Sequence, residues 1–570
     1  MTERIPQISP QRLALHREIF RSSLAKAITC AEHNVETAVR WALLSAEIAD
    51  TIGCGWLMSA ELEGLLVKLA TRVPVPKRGA PSDRRRWLHI FSEVPSIGGH
   101  TALAARWIAL DSGDDQHSLA ITFQEAPAVP QIMYEAIISK GGGIFALGGV
   151  KSLSERARLL REIAWQEADV VVLHTHMWDV VPVISFGVPG GPPVLLLNHA
   201  DHAFWVGATV ADSLINLRQS GKDVAEKWRG IDRHVYLPIP LPMPSKHVPH
   251  SGRSVRIELG IPEQAPVFLT VGSHFKYLTI GEVNFIDTAC RLLKKVPDAY
   301  LIAVGPTTDH PDWQTARGIT GGRLMAVGPK HELAGYFAAA DVYIEGFPFG
   351  SLTALLEAGL AGLSCVRAPI SCPPPFTSDG EALDHLPQPT DLDDYIYQAA
   401  VLATSPTYRR SQSQELKEAI EGVHLGTGWQ SFLDDIKAHL PAQHNIHQVS
   451  VTTSPPLWEQ YWLPYLVRRS RIDPLLFFYV RGHRLGQAPR PSVRVLLAAY
   501  KASIPEHPRG TPGPIALGLF RGFIDPIATI LPFANSNSNQ KWWPRLILDY
   551  WYNRYIGWRF KTTNEDSEIR

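Results

Sequence analysis

The chain has 570 residues, of which 45% are hydrophobic and 19% charged, and its 55 basic and 55 acidic side chains balance to a formal net charge of zero. That length predicts about three or four domains. The apolar fraction excludes a disordered chain, and the charge balance excludes a nucleic-acid binder driven by overall basicity. The balance hides an asymmetry, because residues 441–570 carry 16 Lys and Arg against 8 Asp and Glu. Cys30, Cys54, Cys290, Cys365 and Cys372 are scattered and show no CxxC spacing. That pattern argues against a disulfide framework or a zinc site and points to a reducing, cytosolic compartment. The polar, charged first stretch lacks the apolar segment of a signal peptide, and no uncharged apolar run of about 18 residues predicts a spanning helix.

Residues 10–72 show apolar residues at helical period, such as Leu62, Leu65, Leu66 and Leu69, and predict a helical accessory domain over 1–75. A Pro-rich turn region over 73–82 closes it. From Trp87 the pattern alternates. Strands are predicted over 88–92, 118–122, 170–174, 194–198 and, more weakly, 213–217, with helices over 101–110 and 155–167. A second Pro-rich linker, 236–245, precedes a second alternation. Strands are predicted there over 267–271, 300–304, 323–327 and 341–344, with helices over 283–293, 333–340 and 351–359. Such β/α alternation predicts an α/β protein with two doubly wound parallel sheets, one over 84–240 and one over 250–440, enclosing a cleft at their carboxyl strand ends. Residues 441–570 hold 6 of the 16 tryptophans and many arginines. They read as a basic, aromatic-rich, mostly helical extension that packs on the core, lies on an anionic membrane surface, or binds an acceptor or partner.

The stretch 345–357, EGFPFGSLTALLE, carries the most chemistry. A strand ends, a Gly/Pro/Phe turn follows, and Ser351 and Thr353 open a helix with Glu357 on its second turn. Free N–H groups and the positive dipole end suit a diphosphate. Gly350 allows close backbone approach, and a carboxylate one to two turns in can accept both ribose hydroxyls. An ordinary capped helix with an incidental glutamate is the bland alternative. The two clusters His174-Thr-His176 and Asn198-His199-Ala-Asp201-His202 follow apolar strands at the cleft-facing ends of the first sheet. His174, His199 or His202 suits a general base of near-neutral pKa, and Asp201 either orients an imidazole or serves as the base itself. His199, Asp201 and His202 are also competent metal ligands, but their spacing is not that of a helical metal pair, so no metal is expected. The remaining alternative is a set of polar loop residues. Phe204 offers a sugar-stacking wall or plain packing.

The 345–357 stretch resembles the donor-binding segment of GT-B glycosyltransferases. Its acidic spacing is longer by four than that of the large retaining family, and it looks closer to the pattern of O-GlcNAc transferases and bacterial cytoplasmic N-glycosyltransferases. That resemblance implies that Ser351 and Thr353 hold the diphosphate and Glu357 the ribose. Val271-Gly272-Ser273-His-Phe-Lys276 is similar to the GT-B turn whose basic residue reaches the donor phosphates; Lys276 would neutralise the leaving diphosphate. The loop 326–331, with His331, resembles the one that receives the nucleotide base. Gly98-Gly99 resembles the acceptor-side glycine loop, with His176 beside it. The resemblance implies a metal-independent hexosyltransferase that uses a nucleotide-sugar, UDP-linked, as substrate without a resident cofactor. It acts on a protein, glycan or lipid-linked acceptor, in the cytoplasm or peripherally at the inner face of the membrane. The alternatives are a sugar-nucleotide epimerase of the same fold and a degenerate binding or assembly subunit.

Overall fold

The computed structural model describes residues 8–96, 99–242, 252–372 and 376–450, together with Trp462, Leu463, Tyr465, Leu466, Phe478 and Arg481. Polar caps start the first helices. The Ser9 hydroxyl accepts from Arg12 N at 3.2 Å to begin α1 (Pro10–Ala31), and Asn34 accepts from Thr37 N at 3.0 Å to begin α2 (Val35–Glu47). Ser59 does the same for α3 (Ala60–Ala70), satisfying amides that the helix itself leaves unpaired. These helices do not close a core of their own. Leu24, Val39, Leu62 and Leu66 belong to one apolar cluster with Leu88, Ile90, Val171 and Ile184. The helices over 10–70 form a layer that shares its apolar core with the first sheet.

The first sheet is wholly parallel. Its strands are β1 (Arg86–Phe91), β2 (Gln116–Ile121), β3 (Ile144–Ala146), β4 (Val170–His174), β5 (Val194–Asn198), β6 (Ser213–Asn216) and β7 (His234–Tyr236), in the order β3-β2-β1-β4-β5-β6-β7. Helices α4 (Gly99–Leu110), α5 (Gln131–Ser139), α6 (Leu153–Glu167), α7 (Val180–Phe186) and α8 (Gln219–Arg229) connect them. After α9 (Gly252–Glu258) comes the second sheet: β8 (Val267–Val271), β9 (Tyr300–Val304), β10 (Leu324–Ala326), β11 (Val342–Ile344) and β12 (Ser364–Val366), ordered β10-β9-β8-β11-β12. Its helices are α10 (Phe285–Lys295), α11 (Pro311–Ile319), α12 (Ala334–Ala339) and α13 (Leu352–Leu360), then α14 (Leu392–Thr404), α15 (Pro406–His424) and α16 (Gly426–Ala438). Strands β3, β7 and β12 went unpredicted, and the Pro-rich stretch from Tyr236 in fact begins inside β7.

In each sheet the strand order reverses between the first and fourth strands, β1/β4 and β8/β11, which opens a crevice at their carboxyl ends. The last helix crosses back onto the first half. Lys437 Nζ lies 2.7 and 2.9 Å from the Asp111 carboxylate oxygens, and Trp429 Nε1 donates to Pro238 O at 2.8 Å. Beyond it, Tyr465 and Leu466 are buried against Leu57, Phe349 and Phe376, and Arg481 pairs with Glu47 at 2.8 Å. The rest of the expected 441–570 helical extension lies outside the described residues. No described helix is long and apolar enough to cross a membrane.

Candidate functional site

The second-half side of the cleft is built by two loops at the switch point of the second sheet. After β8, Gly272 and Ser273 lead into a single 3-10 turn, His274–Tyr277. After β11, the Phe347–Pro348 peptide is cis, and the chain reaches Ser351, the residue that precedes α13. The loops hold each other. Phe349 N donates to Lys276 O at 3.3 Å, and Lys276 Nζ donates to Gly350 O at 2.8 Å. Lys276 thus stands at the N-terminus of α13, where free amides and the dipole favour an anion. The Ser351 side chain makes no capping bond, so its hydroxyl is not spent on the helix. A Cβ on Gly272 would lie 3.1 Å from both Lys276 Cδ and Tyr277 Oη; the glycine lets the lysine fold back over the turn.

Glu345, whose role the sequence left open, is a structural brace. It is fully buried. Its Oε2 accepts from Ala368 N at 2.8 Å and its Oε1 from Ser378 N at 2.7 Å. A Cβ on Gly350 would meet Glu345 Oε1 at 2.1 Å. This glycine is therefore required by the brace as well as by any ligand. Glu345→Ala orphans two buried amides at about 1–2 kcal/mol each, so an unfolding free energy lower by about 2–4 kcal/mol is expected in urea titration. An unchanged midpoint would mean that the 366–378 loop finds other acceptors.

Glu357 points across the cleft. Its carboxylate lies 3.7 Å from Arg106 Nη2 on α4. Burial raises its pKa, and the Arg106 charge works against that rise. Its partner in this state is thus a guanidinium of the opposite half. Thr353 lies on the first turn of α13. His331 is exposed, beyond the Gly328 turn at the carboxyl end of β10, which is stitched to the loop after β9 through Gly305 N and Gly328 O at 2.9 Å.

On the first half, the histidines gather at the ends of β4 and β5. His199 Nδ1 lies 3.2 Å from Leu197 O, which makes Nδ1 the donor and leaves Nε2 to accept. Burial pushes the His199 imidazole down to about 4, so it is neutral at pH 7, the form a base needs. His199, His176, Thr175 and Asn198 line one small cavity. The His176 amide donates to Ser92 Oγ at 2.8 Å. His174 is fully buried.

Two expectations on this side are corrected. Asp201 does not stand as a base. Arg218 grips it bidentately, Nε to Oδ2 at 2.7 Å and Nη2 to Oδ1 at 2.8 Å. Burial pushes its pKa up, but the Arg218 charge and the bonds from His202 and Arg218 outweigh this and hold it far below the usual carboxylate range. Its second role, orienting an imidazole, is the one the geometry contains, since His202 Nδ1 lies 3.2 Å from Oδ1. Phe204 is buried, 3% exposed, in the core shared with the helical layer, and offers no open ring face to a sugar. His202 packs edge-on against Trp462 at 4.3 Å. Gly99 is the first residue of α4 and has open space where a Cβ would sit; its neighbour Gly98 lies outside the described residues. Among the described residues no group of three His, Cys, Asp or Glu is placed to hold a metal ion.

Other residues of the cleft escaped the sequence reading. Arg218 Nη1 also donates to Thr377 O at 3.2 Å. Asp379 accepts from Ser220 N and Oγ, both at 2.7 Å, placing a carboxylate at the start of α8. These bonds and the Arg106–Glu357 contact join the two halves around the cleft. Their only sequence signal is charge at loop and helix starts, which is too common to single out.

Two parallel, doubly wound sheets that oppose their carboxyl ends across a cleft, with the last helix returning to the first half, define the GT-B architecture. No family model matches the chain, and no curated protein matches it. Among solved structures it is similar to a mutant O-GlcNAc transferase of Thermobaculum terrenum, with 15% identity over 75% of this chain and 82% of that one and a TM-score of 0.44. It is also similar to Anabaena HepE in complex with UDP and glucose, with 14% identity over 63% of this chain and 100% of that one and a TM-score of 0.45. A glycosyltransferase of Rickettsia africae shows 10% identity, 63% and 98% coverage and a TM-score of 0.45.

Proposed function

We propose that the chain transfers a sugar from a nucleoside-diphosphate donor, UDP-linked, to a hydroxyl or amide of a protein, glycan or lipid-linked acceptor. The observation that carries this reading is the 2.8 Å bond from Lys276 Nζ to Gly350 O, which sets an ammonium beside the unspent hydroxyl of Ser351 at a helix N-terminus. That is a cradle for a diphosphate, and a leaving diphosphate is where charge builds up as the glycosidic bond to the donor breaks. Lys276, Ser351, Thr353 and the α13 dipole supply this stabilisation without calling on a metal. Neutral His199 takes up the acceptor's proton. Glu357 receives the ribose once Arg106 releases it. The chain works in the cytoplasm, and the 441–570 segment packs on the core through Tyr465, Leu466 and Arg481.

Thermal unfolding with UDP, GDP and a panel of their sugars tests the reading. UDP at saturating concentration should raise the melting temperature, because a ligand bound only to the native state stabilises it by mass action. If UDP and GDP both leave it unchanged, the reading fails. Retained transfer after chelation is expected; its loss would place a metal in the mechanism.

A further inference from the structure

Three histidines and one carboxylate form a continuous buried chain through the first sheet. Asp111 Oδ2 lies 3.0 Å from His117 Nε2. His117 Nδ1 lies 3.0 Å from His89 Nε2, and His89 Nδ1 lies 2.9 Å from His174 Nε2. All four side chains are buried. The parallel register explains how they meet. His117 on β2 pairs with Trp87, two residues before His89 on β1, and His174 on β4 pairs with Phe91, two residues after it. A step of two keeps all three rings on one face of the pleat. Trp107 of α4 covers them, its ring 5.3 Å from that of His89 and 5.8 Å from that of His174.

The chemistry of this chain has one solution. Lys437 bonds both oxygens of Asp111, at 2.7 and 2.9 Å, so the carboxyl is ionised and can only accept. His117 Nε2 must therefore donate. Burial holds all three imidazoles neutral, with one N–H each. His117 Nδ1 then accepts from His89 Nε2–H, and His89 Nδ1 accepts from His174 Nε2–H. The last nitrogen, His174 Nδ1, is left with a lone pair, and it is buried without a hydrogen-bond partner. The next ring is that of His100, 5.6 Å away. Its Nε2 is likewise buried without a partner, and its ring stacks at 4.0 Å on that of His199 in the cleft.

We infer that Asp111, His117, His89 and His174 are positioning residues: a carboxylate at the amino end of the strands sets the tautomer of every imidazole in the chain, so that His174 presents a bare Nδ1 lone pair beside the ring of His100, which stacks on the cleft-facing His199. The chain orients and does not export protons, because a proton delivered to Asp111 would displace the Lys437 pairing. Its part in catalysis rests on the proposed sugar transfer; its tautomers do not.

The test uses the full chain labelled with 15N-histidine. Two-bond 1H–15N correlation spectra should show His117, His89 and His174 as Nε2–H tautomers. In Asp111→Asn, Gly113 N and Lys437 hold the amide oxygen at the Oδ1 position, so the amide N–H group faces His117 Nε2. All three rings must then reverse to the Nδ1–H form. Wild-type His174 protonated on Nδ1, or tautomers indifferent to Asp111→Asn, would overturn the chain. With a UDP-sugar that the wild type turns over, Asp111→Asn should lower kcat by about 10²-fold or more with the donor KM unchanged; an unchanged kcat would overturn the catalytic role. Spectra as expected in a protein that turns over no nucleotide-sugar would uphold the chain and sink the transferase reading alone.

Discussion

Lys276→Met is expected to lower kcat for sugar transfer about 10²- to 10³-fold, the effect of removing one preorganised group from the site where transition-state charge develops. Methionine keeps much of the side-chain volume but removes the ammonium that now bonds Gly350 O at 2.8 Å. The fold feels less of the change. The 345–351 turn keeps the Phe349 N to Lys276 O bond and the Glu345 brace. The loss should therefore fall on kcat and kcat/KM together, the mark of an interaction made chiefly in the transition state. Steady-state kinetics with a turned-over UDP-sugar, beside the melting temperature, reads both. A variant with wild-type kcat would remove Lys276 from the diphosphate site. One that merely melts would make it a structural lysine.

The largest stability effect is expected at Arg161, far from the cleft. It is fully buried on α6 and no carboxylate pairs with it among its hydrogen bonds. It donates instead to carbonyls: Ser185 O at 2.7 Å, Ile184 O at 2.8 Å, Ala70 O at 3.0 Å, Pro74 O at 3.3 Å and Val73 O. Ala70 ends α3, and Ile184 and Ser185 lie in the last turn of α7. Helix carboxyl ends carry partial negative charge, and here two of them converge on one guanidinium. Burial lowers its pKa to about 10, which leaves it charged at pH 7. Arg161→Met leaves these carbonyls buried without donors, a loss of about 3–5 kcal/mol by analogy with breaking a buried ion pair. Urea unfolding measures it, and hydrogen exchange should show α1–α3 losing protection first. A loss under about 1 kcal/mol would show that the carbonyls find other partners.

The convergence of the 272–277 and 345–353 loops was legible because its parts are local. β8 and β11 are the first and fourth strands of one wound sheet, and that topology makes them neighbours. A lysine just after one and a hydroxyl-bearing helix start just after the other must then converge. The periodicity of the long elements was legible for the same reason.

The sequence by itself determined the two wound sheets, the cleft between them and the glycine- and hydroxyl-bearing start of α13. All three follow from hydrophobic period and from residues close in the chain. Only the tertiary structure decided what depends on register and on approach from another element. Asp201 reads as a base until Arg218, brought from the start of α8, takes both its oxygens. Phe204 reads as a cleft aromatic until the helical layer covers it. Glu357 meets a charge partner, Arg106, that comes from the other half. His89 and His117, lone polar residues in apolar strands, become partners of His174 only because three parallel strands align with a two-residue step. Each of these fates is set by a neighbour distant in the chain, and no local pattern encodes that neighbour.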